Sequence, residues 1–339
     1  MSRTRIPVAL AALAVLVTGV VAGCGGTSAE SSGGGEGGKK LSLVAYSTPK
    51  EAYAEVIPAF NKTPAGKGVS FDQSYGSSGE QSRAIEGGLK ADIAALSLEP
   101  DVTKLVDAGL VAEDWNKDEY DGFVTNSVVV FAVRKGNPKN LETWDDLAKE
   151  GVDVITPNPF TSGGAKWNIM AAYGAQVEQG KSDEQAQAYL RELLGNVSVQ
   201  DKSAREALQT FSGGKGDVLI AYENEAIAAQ QAGEDIEYVI PEETILIENP
   251  AAVTEDSSDG KTAQAFIDFV RSEQAQKIFA GKGYRSIIPE LVDAKKYPKP
   301  AKQFEIDKFG GWDAVNDKFF DPEKGVIGDI NRDLGQATG

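Results

Sequence analysis

Short apolar runs alternate with helix-length polar stretches along the first third of the chain that can fold. Each apolar run has the length and composition of a buried strand, and each is followed by a helix start. The predicted strands span residues 41–46, 69–75 and 91–96, and the helices after them span residues 50–60, 80–89 and 101–108. Strands that alternate with helices are typical of a parallel, doubly wound sheet, so the pattern predicts an α/β fold.

The most β-prone run of the chain, residues 127–133, interrupts this alternation, and a new strand–helix rhythm begins after it. A second extended stretch at residues 245–253 leads back out of the new rhythm. Two extended crossings between two lobes account for both features. The predicted lobes are residues 41–126 plus 251–339 for the first, and residues 127–250 for the second.

The second rhythm contains a strand that leads directly into a helix start. The apolar residues 152–155 run into two prolines, which cannot extend a sheet, and then into Ser162, Gly163 and Gly164. With Ser162 at the N-cap, the first backbone N–H groups of the helix are bare, and the helix dipole favours an anion there. An ordinary capped helix is the alternative interpretation.

Three further helices begin after short strands in the same way, and a serine stands at each start. Those serines are Ser47, Ser78 and Ser203. Ser78 and Gln81 have the spacing of a capping box, so the Ser78 hydroxyl serves either its own helix or a ligand.

The last of these starts leaves two donors available. Ser203 and Glu206 match a full capping box, which satisfies their own groups but not the N–H groups of Ala204 and Arg205. The next strand, residues 217–221, ends at Tyr222. Ligands of open α/β sheets lie outside the carboxyl ends of the strands, so Tyr222 is well placed to contact one.

The N-terminal residues predict a targeting signal. Residues 1–23 combine the basic Arg3 and Arg5, an apolar run and small residues, as a secretory signal does. Cys24, the only cysteine, follows directly and resembles the lipobox cysteine of bacterial lipoproteins, which implies cleavage and lipidation there. Residues 24–40 are rich in Gly and Ser and predict a flexible tether, so the mature protein is expected outside the cell membrane, anchored by lipid.

Charge and composition exclude several function classes. The net charge is −17, or −19 once Arg3 and Arg5 leave with the signal, so a nucleic-acid partner is not expected. The chain has no histidine, which excludes His-based triads and His-ligated metals. We therefore expect no metal and no cofactor.

Four strand-to-helix junctions with exposed donors favour binding of an oxyanion. The chain resembles the sulfate-binding proteins of bacterial ABC importers over nearly all of residues 41–320. These proteins are a branch of the two-lobed type II periplasmic binding proteins. The segments that carry the resemblance are residues 72–79, 133–139, 155–168, 216–225 and 309–312.

In that family the dianion is buried between the lobes and held by neutral donors, and the protein serves an ABC permease. The resemblance therefore implies a binding protein rather than an enzyme, and we expect a monomer. Carried over by motif, it implies contacts from the backbone of Ser47, the hydroxyl of Ser78, the hydroxyl and N–H groups around Ser162, Gly163 and Gly164, the N–H of Ala204 and the side chain of Tyr222.

The sequence departs from the family at two of these positions. The sulfate binders carry Asp where Ser47 stands, but a backbone contact there tolerates the change. They carry Trp where Tyr222 stands, and thiosulfate-binding relatives carry Phe, so thiosulfate, or another tetrahedral oxyanion such as molybdate or phosphate, is the alternative ligand. Near the site, Arg205 is expected to be a solvated cation and Trp167 to pack between the lobes.

Functions from other classes are disfavoured. A hydrolase using Ser77 or Ser78 lacks the G-x-S-x-G motif and any histidine to activate the serine. The segment Gly163–Lys166 lacks the spacing of a P-loop. A lipoprotein scaffold without a small ligand is the remaining alternative.

Overall fold

The structure is a computed structural model that describes residues 39–338. The predicted signal, the lipidation site Cys24 and residues 25–38 of the tether lie outside the described residues. Within residues 39–338, no helix is both long and apolar enough to cross a bilayer.

The strands and helices follow one another in the alternation that the sequence predicts. The strands are β1 (Lys40–Tyr46), β2 (Ser70–Gly76), β3 (Ile93–Ala95), β4 (Phe123–Arg134), β5 (Val154–Ile155), β6 (Val197–Val199), β7 (Val218–Tyr222), β8 (Ile236–Val239), β9 (Glu243–Val253) and β10 (Lys302–Phe304). The helices are α1 (Lys50–Phe60), α2 (Ser78–Glu86), α3 (Glu99–Asp107), α4 (Trp144–Leu147), α5 (Gly163–Glu178), α6 (Asp183–Gly195), α7 (Ala204–Ser212), α8 (Glu223–Gln231), α9 (Gly260–Val270), α10 (Glu273–Gly281), α11 (Gly311–Val315) and α12 (Val326–Leu334).

Two sheet regions, one in each half of the molecule, contain these strands. In the first lobe β1 pairs in parallel with β2 and β3, and the end of β9 pairs antiparallel with β3. In the second lobe β4 lies between β7 and β8 as an antiparallel neighbour of both, and β5 pairs in parallel with β6 and β7. Parallel strands joined by helices place their carboxyl ends at one edge, where the four helix starts lie.

The long strands β4 and β9 connect the two sheet regions. Residues 123–128 of β4 pair antiparallel with residues 246–250 of β9, and the next residues of each strand pair within a lobe. The apolar run in β4 is continuous because the sheet is covered on both faces. Val129, Phe131 and Val133 pack in one core cluster of the second lobe, whereas Val128 and Val130 pack in another.

A third connection joins the lobes, although the sequence pattern indicated only two. Residues 282–301 lead from α10 of the first lobe to β10, which pairs with residues 243–245 of β9. Within this connection Arg285 exchanges two backbone hydrogen bonds with Asn126, of 2.8 and 3.1 Å. Its guanidinium forms a buried ion pair with Glu223 at 2.7 Å, which ties the connection to the start of α8.

The C-terminal segment packs on the second lobe. Phe304, Trp312, Phe319 and Ile327 belong to the same core cluster as the buried residues of α5 and α6. The lobe bounds stay a prediction, and this packing favours assigning residues 302–338 to the second lobe rather than the first.

Candidate functional site

Four helix starts carry backbone N–H groups that the fold leaves unsatisfied. The first N–H groups of a helix have no partner inside it. Among residues 39–338, no hydrogen bond is formed by the N–H groups at the predicted contact positions, which are those of Ser47, Ser78, Gly163, Gly164 and Ala204. The ends of these helices therefore present donors and the positive end of the helix dipole.

Close contacts around Gly164 bring the site elements of the second lobe together. A methyl group placed on Gly164 would lie 3.4 Å from Ser162 Oγ, 3.5 Å from Ala204 Cβ and 3.5 Å from Tyr222 Cε1. The starts of α5 and α7 and the end of β7 thus surround one point. Only a residue without a side chain leaves that point open.

Two contacts across the cleft add the helix starts of the first lobe. A methyl group on Gly79, near the start of α2, would lie 3.0 Å from the carbonyl oxygen of Thr161. Arg205 Nη2 donates to the carbonyl oxygen of Thr48 at 3.2 Å, which links the start of α7 to the start of α1. These contacts bring the starts of α1 and α2 next to the starts of α5 and α7 in the second lobe.

Ser162 has a hydroxyl that its own helix does not use. It is the N-cap residue of α5, with extended backbone angles, but its side chain makes no capping hydrogen bond. The residue is buried, with 3% of its surface exposed. An N-cap serine normally accepts from the N–H of the second or third helical residue, so a Ser162 hydroxyl that does not is available to a ligand.

The Ser78 hydroxyl has partners already, and the capping box predicted for it does not form. Ser77 is the N-cap residue of α2. The Ser78 hydroxyl donates to Asp101 Oδ2 at 2.7 Å and accepts from the N–H of Ser97 at 2.9 Å. A contact from Ser78 to an anion therefore rests on its backbone N–H and no longer on its hydroxyl.

Tyr222 points a donor into the buried interior. Only 1% of its surface is exposed, and its hydroxyl has no hydrogen-bond partner within the described part of the chain. Burial raises the pKa of Tyr222 well above 10, so the group keeps its proton. Ser97 and Asn249 lie beside the hydroxyl and oppose this shift, although neither forms a hydrogen bond of normal geometry with it.

Arg205 bridges the cleft instead of being solvated. Its guanidinium forms a two-pronged ion pair with Glu51 of α1, at 2.8 and 2.7 Å. Its Nε lies 3.9 Å from the buried carboxyl of Glu225. Two carboxyl groups and the Thr48 carbonyl surround the Arg205 guanidinium. Arg205 therefore forms a contact between the lobes, and its charge is already paired without a ligand.

Glu225 is an acidic group in an unusual place. It is 1% exposed, and neither carboxyl oxygen has a hydrogen-bond partner among residues 39–338. Burial raises the pKa of Glu225 to about 7, an effect that Arg205 opposes and Glu51 reinforces.

Several residues at the site were not indicated by the sequence. Ser97 and Asn249 lie at the centre of the cleft, where Trp167 Nε1 and Asn249 Nδ2 donate to the Ser97 carbonyl oxygen at 2.8 and 3.1 Å. Tyr46 and Thr125 donate to Asn249 Oδ1 at 3.0 and 3.2 Å. Apart from the position of Ser97 after β3, no sequence signal marks these residues, because strand pairing between distant segments brings them together.

Comparisons with known proteins agree on one family. The family of bacterial extracellular solute-binding proteins matches residues 41–285. A sulfate-binding protein from Synechococcus elongatus is 41% identical over 321 residues, which cover 91% of this chain and 92% of that protein. A thiosulfate-binding protein from Escherichia coli is 36% identical over 286 residues, which cover 80% of this chain and 85% of that protein.

Among solved structures, the sulfate-binding protein SubI from Mycobacterium tuberculosis is similar throughout its length. The TM-score is 0.81 and the identity 43%, over 84% of this chain and 100% of that chain. This similarity confirms the predicted fold class, the two-lobed α/β fold of periplasmic binding proteins. The names of the relatives are those of binding proteins rather than enzymes.

Proposed function

The chain belongs to the family of bacterial extracellular solute-binding proteins, and we propose that it captures sulfate between its two lobes and delivers it to an ABC permease. The observation that carries the proposal is the convergence of four helix starts whose N–H groups have no partner among the described residues. The relatives named sulfate-binding proteins, which align over most of the chain, support the choice of ligand. The protein acts as a monomer and catalyses no reaction.

Neutral donors hold the anion in this proposal. The backbone N–H groups of Ser47, Ser78, Gly163, Gly164 and Ala204 and the hydroxyls of Ser162 and Tyr222 point their hydrogens at its oxygens. A dianion loses a large hydration energy on burial, and charge-assisted hydrogen bonds from several fixed donors offset that loss. The helix dipoles add a favourable field.

Thiosulfate is the second candidate ligand. A relative named a thiosulfate-binding protein covers 80% of this chain. Thiosulfate also lacks a proton at neutral pH and differs from sulfate in the size of one terminal sulfur. Tyr222 is the position at which the family resemblance leaves the choice between the two anions open. Competition calorimetry with sulfate and thiosulfate decides which binds more tightly.

The test of the site is Ser162→Ala. We expect the variant to lose roughly 1.5–3 kcal/mol of sulfate binding, the range for a hydrogen bond to a charged group. Because the hydroxyl makes no capping bond, the free energy of unfolding without ligand should change little. Titration calorimetry measures the first effect, and denaturant unfolding measures the second.

Ser182→Ala provides the matched control. Ser182 is also an N-cap serine, at the start of α6, but it is exposed and its hydroxyl accepts from the N–H of Gln185 at 3.3 Å. This variant should lose about 1 kcal/mol of stability and no sulfate affinity. If Ser162→Ala binds sulfate like the wild type, the proposed site is wrong.

The protein is further proposed to be anchored to the outer face of the cell membrane through lipid on Cys24. Two acyl signals hold a protein stably on a bilayer, whereas one chain holds it marginally. A Cys24→Ser variant is expected to move from the membrane fraction to the soluble extracytoplasmic fraction in cells. Retention of this variant in the membrane fraction would argue against the lipid anchor without affecting the proposed ligand.

A further inference from the structure

Two buried hydroxyl groups at the floor of the cleft have no partner within residues 39–338. They belong to Ser97, which follows β3 of the first lobe, and to Tyr222, which ends β7 of the second. Each residue is almost fully buried, with 2% and 1% of its surface exposed. An unpaired buried hydroxyl costs free energy, so both groups are available to a ligand that supplies an acceptor between them.

The backbone of Ser97 is fixed from three sides. Its N–H donates to the Ser78 hydroxyl at 2.9 Å, and its carbonyl oxygen accepts from Trp167 and Asn249 at 2.8 and 3.1 Å. These bonds come from both lobes and from the β9 crossing. They orient the side chain without using its hydroxyl.

The Ser97 hydroxyl is directed at the start of α5. A methyl group on Gly163 would lie 2.2 Å from Ser97 Oγ, so the hydroxyl occupies the space that a side chain at position 163 would need. Gly163 is the first residue of α5, and its N–H is among the donors without a partner in the described chain. The hydroxyl therefore lies beside the donors that we assign to the anion.

We propose that the Ser97 hydroxyl is a further donor to the bound anion, and that it acts with the Tyr222 hydroxyl on one oxygen and so favours an oxygen over a terminal sulfur. This inference rests on the proposed function and specifies its selectivity. A terminal sulfur is larger and accepts hydrogen bonds more weakly than an oxygen. Two hydroxyls that converge on that position therefore discriminate against thiosulfate.

The experiment is calorimetric titration of Ser97→Ala with sulfate and with thiosulfate. Sulfate binding should weaken by about 10- to 150-fold, the range expected for loss of one hydrogen bond to a charged group. Thiosulfate binding should weaken less, because its sulfur gains room, and the ratio of the two affinities should shift toward thiosulfate. Tyr222→Phe should shift the ratio in the same direction, and the double variant should lose less than the product of the single losses.

Stability measurements separate a ligand role from a structural one. The Ser97 hydroxyl makes no hydrogen bond among the described residues, so Ser97→Ala should unfold without ligand at the same denaturant concentration as the wild type, or a higher one. Ser82→Ala is the matched control, because its buried hydroxyl in the same lobe donates to the Asp101 carbonyl at 2.7 Å. That variant should lose stability and keep the wild-type ratio of sulfate to thiosulfate affinity.

The possible outcomes test the Ser97 assignment, its role in selectivity and the proposed function separately. If the wild-type protein binds sulfate and Ser97→Ala binds both anions as the wild type does, the Ser97 assignment is overturned and the proposed function stands. An equal loss for both anions overturns the selectivity role. If the wild-type protein binds neither anion, the proposed function fails and the Ser97 assignment fails with it.

Discussion

A single methyl group at position 163 is expected to abolish tight sulfate binding while both lobes remain folded. In Gly163→Ala the new carbon would lie 2.2 Å from Ser97 Oγ and 2.7 Å from Leu98 Cγ, distances that a Cβ atom does not show to a non-bonded atom. Gly163 begins α5 of the second lobe, whereas Ser97 and Leu98 follow β3 of the first. The methyl group therefore acts as a wedge between the lobes.

The wedge separates the two groups of donors. The lobes can relieve the overlap by opening, which moves the N–H groups of Ser47 and Ser78 away from those at the start of α5. Loss of two charge-assisted hydrogen bonds costs at least about 3 kcal/mol, which corresponds to roughly 100-fold weaker binding or more. Alanine also has a better helix propensity than glycine, so α5 itself should not be weakened.

Calorimetry and small-angle X-ray scattering together measure this effect. The wild-type protein should contract on adding saturating sulfate, because closure about the crossings buries the anion. Gly163→Ala should keep the larger radius of gyration. Gly195→Ala is the control, since a methyl group at the end of α6 meets no atom within 4 Å. Tight binding and contraction in Gly163→Ala would contradict the wedge, and a wild-type protein that binds without contracting would contradict closure itself.

The sequence was sufficient to predict the local part of the fold. Helix α1 begins at Lys50, one residue after Pro49, as the first strand-to-helix junction predicted. The starts at Ser162 and Ser203 are also where the pattern placed them, with both serines as N-cap residues. These features depend on near neighbours in the chain, and capping and hydrophobic period are properties of short segments.

The parts that were missed depend on contacts between distant segments. The capping-box spacing assigns the Ser78 hydroxyl to its own helix or to a ligand, whereas in the structure it donates to Asp101, 23 residues away along the chain. The third connection between the lobes has little regular structure and so gives no periodic signal. Ser97 was not identified because its significance arises from its position opposite Gly163, which only the tertiary structure reveals.

The surroundings of one charged residue also differ from the expectation. Arg205 was expected to be solvated, but its ion pair with Glu51 spans the cleft. Because acidic residues outnumber basic ones, each cation has several possible partners, and the sequence does not specify which one it contacts.

Sulfate is expected to bind at least about 10⁴-fold more tightly than phosphate, a degree of discrimination that sites built from hydrogen bonds can reach. Every group assigned to the anion can donate: the backbone N–H groups at the four helix starts and the hydroxyls of Ser97, Ser162 and Tyr222. Sulfate at neutral pH only accepts hydrogen bonds. Phosphate keeps at least one proton there, and that proton would be buried against donors. A Ser162 hydroxyl that accepted from this O–H group could not at the same time donate to that same oxygen, so the number of satisfied groups at the site would still fall.

The group that could reverse this order is Glu225. Its buried carboxyl has no hydrogen-bond partner among residues 39–338, and an ionised form could accept a hydrogen bond from the O–H group of phosphate. Arg205, 3.9 Å away, and Glu51 are the charges that face it, and the attraction of Arg205 competes with any contact from the carboxyl to an anion beside Tyr222. We therefore expect phosphate not to displace sulfate at comparable concentration in competition calorimetry. Should phosphate compete, Glu225→Met identifies the cause, because methionine is of similar length and has no oxygen to accept a hydrogen bond. The variant would lose phosphate binding and keep sulfate binding if Glu225 is the acceptor. Phosphate binding that survives in Glu225→Met would show that the assigned groups do not act only as donors.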